Sequence, residues 1–94
     1  MWVVYEHKQV AKQLDRLPKS VLKRYEKWKD VVQLSGVEGL KLILGFHDEA
    51  LQGDWVGHRS SRLNLKYRII YRVEADKFWV KVVRVSAHDY QKKR

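Results

Sequence analysis

The chain has 94 residues, and 20 Lys and Arg against 11 Asp and Glu give it a net charge of +9 at pH 7. A chain of this length is typical of one domain, predicted over residues 1–94, and the excess of positive charge predicts an anionic partner. The sequence contains no Cys, which excludes a disulfide framework, Cys-ligated zinc sites and a Cys nucleophile. Its apolar stretches are too short to span a bilayer and no signal-peptide pattern is present, so we expect a cytoplasmic protein without membrane contacts.

The N-terminal half predicts one strand followed by helices. Residues 2–5 are β-branched and aromatic, which favours a strand. Apolar residues at helical spacing then predict a first helix that starts at Lys8 and ends before Pro18. A second amphipathic helix follows and stops at Gly36, after which we expect a short helix near residues 37–42 and an ordered loop.

The C-terminal half predicts three consecutive strands. They cover residues 55–63, Tyr67–Glu74 and residues 78–88, and hairpin-length turns at residues 64–66 and 75–77 separate them. The predicted fold class is α+β: an N-terminal strand, a helical hairpin, and an antiparallel three-stranded meander with the helices on one face.

Strand alternation predicts which side chains share a face of the sheet. Arg68 lies on the face opposite Tyr67 and Tyr71, and Arg59 and Arg62 lie on opposite faces of the preceding strand. Because the helices cover only one face, the other is left to solvent or to a ligand. A ligand-facing side with several arginines would suit RNA, because cations hold phosphates, and the sequence does not decide whether Arg59 or Arg62 lies on it.

The same alternation applied to the last strand groups Arg84 and Ser86 with Val80 and Val82, and sets Trp79 opposite them. We interpret Trp79 as core or as cover of the sheet rather than as a platform for base stacking. On the second helix, Lys23 and Lys27 repeat at helical spacing. They form either a solvated face or a surface that binds RNA phosphates, and both interpretations stay open.

Several segments resemble a known family. Residues 49–55 (EALQGDW) and 57–63 (GHRSSRL) are similar to the entry to the sheet of RelE/ParE-superfamily toxins, and residues 66–73 (KYRIIYRV) are similar to their central strand. Residues 83–90 (VRVSAHDY) resemble the final strand of the RelE-type ribonuclease branch. The resemblance covers essentially the whole chain and implies a RelE-like microbial ribonuclease fold.

That resemblance implies an mRNA interferase, the toxin of a type II toxin–antitoxin system that a small antitoxin protein neutralises. Many members of the RelE branch cut mRNA in the ribosomal A site, so mRNA and the 70S ribosome are the other expected partners. They use no metal or other cofactor. The 2′-OH of the RNA attacks the neighbouring phosphate and leaves a 2′,3′-cyclic phosphate and a free 5′-OH.

The resemblance also implies roles for individual residues. Arg68 matches the catalytic strand arginine, which stabilises charge on the phosphorane, and His88 occupies the position of a catalytic His or Arg. Tyr90 resembles the C-terminal aromatic that orients the scissile nucleotide, and Asp89 orients a neighbour or takes part in proton transfer. Glu49 aligns with the general-base carboxylate of some relatives.

In the same family, Arg59 corresponds to a basic phosphate contact and Arg62 to a His of another subgroup. Two other functions remain open. One is a ParE-type toxin that binds DNA gyrase without nuclease activity, and the other is a basic RNA-binding module. The cluster at residues 88–90 favours the nuclease, because a gyrase-binding protein has no evident use for it.

Overall fold

The structure is a computed structural model that describes residues 1–87. It contains two helices and a mixed five-stranded sheet, with elements β1 (Val3–Glu6), α1 (Lys8–Leu14), α2 (Lys19–Leu42), β2 (Glu49–Ala50), β3 (Arg59–Arg62), β4 (Tyr67–Glu74) and β5 (Trp79–Ala87). The strand order is β1-β5-β4-β3-β2, with β1 parallel to β5 and every other pair antiparallel. The predicted α+β class and the meander of β3, β4 and β5 are therefore confirmed.

The break in α2 lies at Gly36, as predicted. Its backbone has φ of 66°, a conformation that favours glycine. A Cβ atom at this position would fall 2.6 Å from the indole ring of Trp2, so no other residue fits without movement of that ring. Beyond this break, residues 37–42 are helical again, in agreement with the short helix expected there.

The core lies between the helices and one face of the sheet. Trp28 of α2 is fully buried and packs edge-on against Tyr71 of β4, with ring centroids 5.2 Å apart. Burial of aromatic side chains of this size contributes strongly to stability. The predicted apolar stripe of α2 and the alternating residues of β4 and β5 form this core, which includes Val21, Tyr25, Trp28, Val32, Ile69, Tyr71, Val80 and Val82.

The opposite face of the sheet carries no helix within residues 1–87. We call it the open face, and the strand registers place on it Val3, Tyr5, Glu49, Ser60, Arg62, Arg68, Ile70, Arg72, Glu74, Trp79, Lys81, Arg84 and Ser86. Most of these side chains are polar or charged, in contrast to the apolar core face. A sheet covered on one side only is common among antiparallel arrangements.

A β-bulge in β5 corrects one expectation. Tyr71 pairs with Val82 and Ile70 with Arg84, so Val83 is an extra residue that reverses the alternation. The expectation that Arg84 and Ser86 share a face with Val82 is therefore wrong, since both lie on the open face. The backbone carbonyl of the bulged Val83 accepts a hydrogen bond from the side-chain amide of Gln9 at 2.8 Å, so this carbonyl has a partner.

The first predicted strand of the meander is shorter than expected. Residues Gly53–Trp55 form a 3₁₀ turn, and pairing begins only at Arg59. The two-residue strand β2 was not predicted, since an ordered loop was expected there. The turn at residues 64–66 is confirmed, because Asn64 Oδ1 accepts hydrogen bonds from the backbone N–H groups of Lys66 and Tyr67 at 2.8 Å.

None of the helices in residues 1–87 is long and apolar enough to cross a membrane.

Candidate nucleic-acid interface

Two arginines lie side by side on the open face. Arg62 of β3 and Arg68 of β4 are directly opposite each other in the antiparallel register. Like charges at such positions destabilise a sheet. Within residues 1–87, neither arginine forms an ion pair with a carboxylate that would offset this repulsion. An anionic ligand would relieve it.

Arg68 is half-buried and only partly satisfied by the protein. One terminal nitrogen of its guanidinium donates to Ser60 Oγ at 3.3 Å, while its buried Nε has no hydrogen-bond partner among residues 1–87. Ser60 is itself buried, and its hydroxyl fixes the position of the guanidinium through this hydrogen bond. The other terminal N–H groups of Arg68 have no acceptor in residues 1–87 and can make the multi-donor contact that arginine makes with phosphate.

A carboxylate lies on the same face of the sheet as this arginine pair. Glu49 of β2 is exposed and in register with Ser60, so it shares the open face with Arg62 and Arg68. On the other side, β5 places Ser86 opposite Arg68 and Arg84 opposite Ile70. The structure thus places one carboxylate and three arginines, Arg62, Arg68 and Arg84, on the same face of the sheet.

Arg59 lies on the core side of the same strand. Its Nε and one terminal nitrogen both lie 2.7 Å from Asp48 Oδ1, and the Asp48 side chain has no solvent exposure. The other carboxylate oxygen accepts hydrogen bonds from the hydroxyls of Ser61, at 2.7 Å, and Tyr71. Ser61 Oγ in turn accepts from the indole N–H of Trp28 at 2.9 Å. Asp48 therefore joins β3, β4 and α2 in one buried network.

This network changes the acid–base properties of its members. Burial raises the pKa of Tyr71, and the hydrogen bond to Asp48 raises it further. Burial acts to lower the pKa of Arg59, but the hydrogen bond and charge of Asp48 outweigh it and leave that pKa raised. Both residues thus keep their protons at physiological pH. Of the two candidate arginines in β3, Arg62 faces the open side and Arg59 is occupied by Asp48.

The other predicted residues lie elsewhere. Lys23 and Lys27 are exposed on α2, whose opposite side packs on the core face of the sheet, so the helix and the sheet separate them from Arg68. His88, Asp89 and Tyr90 fall outside the described residues. Their predicted roles stay predictions.

The three other histidines are not part of the arginine cluster. His7 caps the start of α1, because its Nδ1 accepts from the backbone N–H of Gln9 at 3.1 Å. His47 sits in a loop with φ of 44°. His58 precedes β3, and its ring packs edge-on against Trp55 at 5.4 Å. Among residues 1–87, His, Asp and Glu side chains do not gather in a group of three that could hold a metal ion.

Sequence reasoning missed two features of this surface. Asp48 attracted no attention because its partners Arg59, Ser61 and Tyr71 are distant in sequence, and no local motif marks such a network. Trp79 was interpreted as core or as cover of the sheet, and its contact with Tyr5 was not foreseen. Its strand register places it on the open face opposite Glu74, on the side of β5 away from Val80 and Val82 that the alternation predicted.

Comparisons with known proteins point to one group of toxins. No protein-family model matches the sequence, and no curated protein matches it. Among solved structures, the archaeal RelE–RelB complex from Pyrococcus horikoshii OT3 matches with a TM-score of 0.75 and 28% identity, over 95% of this chain and 97% of that one.

Two further matches have lower identity and bear on the fold. The YoeB–YefM complex from Staphylococcus aureus has a TM-score of 0.71 and 17% identity, over 95% of this chain and 99% of that one. The RelBE2 toxin–antitoxin complex from Mycobacterium tuberculosis has a TM-score of 0.68 and 20% identity, over 93% and 98%. Together these matches show that the chain has the RelE-like fold. The match to the archaeal RelE toxin, at 28% identity over nearly the whole of both chains, supports the resemblance to RelE/ParE-superfamily toxins found in the sequence.

Proposed function

We propose that the chain is the toxin of a type II toxin–antitoxin system and acts as a metal-independent endoribonuclease on mRNA in the ribosomal A site. The observation that carries the proposal is the pair of arginines, Arg62 and Arg68, opposed on an uncovered sheet face without a carboxylate partner in residues 1–87. Such a pair costs stability unless it binds an anion. The phosphate of an RNA strand is the anion that fits a chain of charge +9.

The residues on the open face support a division of roles. Arg68, fixed by Ser60, stabilises the negative charge that grows on the phosphorane as the 2′-OH attacks. Arg62 holds the same strand of RNA through its phosphate. Glu49 accepts the 2′-OH proton, and a proton must then be returned to the departing 5′-oxygen.

We assign that last step to His88, with Tyr90 orienting the scissile nucleotide and Asp89 assisting. These three roles rest on the family resemblance alone. Histidine suits proton transfer because its ordinary pKa lies near neutrality.

The exposed Lys23 and Lys27 of α2 form a second cationic surface, which we assign to ribosomal RNA or to mRNA outside the cleavage site. The inhibitor would be a cognate antitoxin. This is supported by the structures that resemble the chain, since the matched toxins are in complexes with RelB or YefM. A net charge of +9 favours an acidic partner segment that covers Arg68 or blocks access to the ribosome.

The experiment that tests the proposal is expression of the protein alone in a bacterium, followed by primer extension on a translated reporter mRNA. We expect growth arrest, new 5′ ends within the reading frame, and normal DNA supercoiling. Arg68→Ala should abolish both arrest and cleavage, while Arg16→Ala, at an exposed arginine after α1, should change neither. Growth arrest with intact transcripts and altered supercoiling would instead support a gyrase-binding toxin. Binding of RNA without arrest or cleavage would support a simple RNA-binding module.

A further inference from the structure

The end of the open face that is farther from Arg62 carries an aromatic pair. Tyr5 of β1 is 52% exposed, and Trp79 of β5 is half-buried. Their rings are nearly perpendicular, with centroids 5.6 Å apart and an interplanar angle of 88°. A T-shaped pair leaves the faces of one ring uncovered by the other. An uncovered aromatic ring on an otherwise polar surface can stack on an unpaired nucleobase.

Two cations lie beside these rings. The register places Lys81 opposite both Tyr5 and Arg72, and the Arg72 guanidinium lies over the Trp79 ring, 6.0 Å from the ring centre. Neither cation forms an ion pair within the described part of the chain. Glu74 lies opposite Trp79 at the very end of β4. Its charge repels phosphate there, so a nucleotide would place its phosphate at Arg72 and Lys81 and its base over the rings.

The aromatic pair is also in line with the proposed cleavage site. Arg68 and Arg72 share β4 and the open face, with Ile70 between them. Four residues of a strand span roughly 13 Å at about 3.3–3.4 Å per residue, a distance that a few nucleotides of extended RNA cover. A single strand bound at Arg68 can therefore continue along β4 to the aromatic pair.

From this geometry we propose that Tyr5, Trp79, Arg72 and Lys81 form a nucleobase-binding subsite that holds single-stranded RNA a few nucleotides away from the scissile phosphate. The proposal rests on the proposed function, which puts RNA on the open face. RNA is favoured over a protein partner because two cations without an ion pair in residues 1–87 flank the aromatic pair, the combination that proteins use for single-stranded nucleic acid. The subsite contributes binding and does not take part in the chemistry.

The test is binding of a fluorescently labelled, fully 2′-O-methylated octanucleotide, which cannot be cleaved, followed by fluorescence anisotropy. Trp79→Ala should raise the Kd by about 5- to 100-fold, the range expected for loss of one base–aromatic stack. Trp79→Phe keeps an aromatic face and should recover most of the affinity. The matched control is Phe78→Ala, which removes a neighbouring aromatic residue, 56% exposed, that packs on Trp2 and not on the open-face pair.

A second measurement separates binding from catalysis. In single-turnover cleavage of a translated mRNA, Trp79→Ala should raise the half-saturating concentration and leave the saturating rate unchanged, whereas Arg68→Ala should lower the rate. Unchanged octanucleotide affinity in Trp79→Ala, or equal losses in Trp79→Phe and Trp79→Ala, would overturn the subsite. Loss of antitoxin binding with normal RNA binding in Trp79→Ala would overturn it too, and would assign the surface to a protein. Octanucleotide binding that depends on Trp79 in a protein without cleavage activity would overturn the proposed function and support the subsite.

Discussion

Replacing Asp48 with Ala tests the buried network that supports the candidate site. The Asp48 side chain has no solvent exposure and accepts hydrogen bonds from Arg59, Ser61 and Tyr71. The substitution would leave a cation and two hydroxyls without their acceptor. Removing one member of a buried ion pair costs about 3–5 kcal/mol. Because the Arg59 side chain is 23% exposed, water can solvate part of it, and we expect the lower end, about 3 kcal/mol.

The loss is large for a protein of this size. A chain of 94 residues has a free energy of unfolding of roughly 5–14 kcal/mol, so Asp48→Ala should remove about a fifth to a half of it or more. Urea unfolding followed by tryptophan fluorescence measures this directly. At an m-value of about 1–3 kcal/mol/M, the midpoint should fall by about 1–3 M. Asp54→Ala, at an exposed carboxylate, is the matched control and should stay within about 0.5 kcal/mol of the wild type.

A double-mutant cycle identifies the ion pair as the cause. Once Asp48→Asn has removed the charge, Arg59→Met should cost less than it does in the wild-type protein, because the arginine then has no anionic partner. Fully additive losses, or an Asp48→Ala variant as stable as the wild type, would refute this account of the network.

Three further predictions concern catalysis, pH and inhibition. Arg68→Ala should lower the single-turnover cleavage rate by about 10²–10³ with little change in the Kd for RNA, whereas Lys27→Ala should raise the Kd and flatten its salt dependence. A rate loss in Lys27→Ala together with a binding loss in Arg68→Ala would contradict this prediction. Burial raises the pKa of Tyr25 and of Tyr71, so both stay protonated in the folded protein while the unfolded chain ionises them near pH 10. Their contribution to the free energy of unfolding is therefore complete below about pH 10 and is lost above it by about 1.4 kcal/mol per pH unit for each tyrosine. In urea unfolding at rising pH, the free energy of unfolding should fall less steeply with pH in Tyr71→Phe than in the wild type. Antitoxin association should slow as salt rises to physiological strength, where the screening length is about 8 Å, and a stopped-flow rate that is independent of salt would contradict an electrostatic encounter.

Local patterns predicted most of the fold. The bounds of β4 were predicted correctly because aromatic and aliphatic residues alternate with charged ones over Tyr67–Glu74, with Ile70 as the one exception. Gly36 was recognised as a break, which its positive φ explains. In contrast, β2 is only two residues long, and such a short strand exists only through its pairing with β3. A periodic pattern cannot reveal it.

The candidate site was predicted less completely than the fold. The face of Arg68 followed from alternation alone, since β4 has no irregularity before it. The faces of Arg84 and Ser86 did not, because one bulged residue, Val83, reverses the pattern and has no distinct sequence mark. The choice between Arg59 and Arg62 needed the position of Asp48, which depends on the tertiary fold.

The most direct test of the central claim uses an mRNA that carries a single 2′-O-methyl group at the nucleotide 5′ to the cleaved bond. If the RNA supplies its own nucleophile, the methylated mRNA should resist cleavage in a single-turnover reaction on translating ribosomes. The unmodified mRNA should be cut there and leave a 2′,3′-cyclic phosphate. Methylation at the next nucleotide is the control and should allow cleavage at the original site. Cleavage of the bond whose 2′-OH is blocked would contradict the mechanism and, with it, the roles assigned to Arg68 and Glu49.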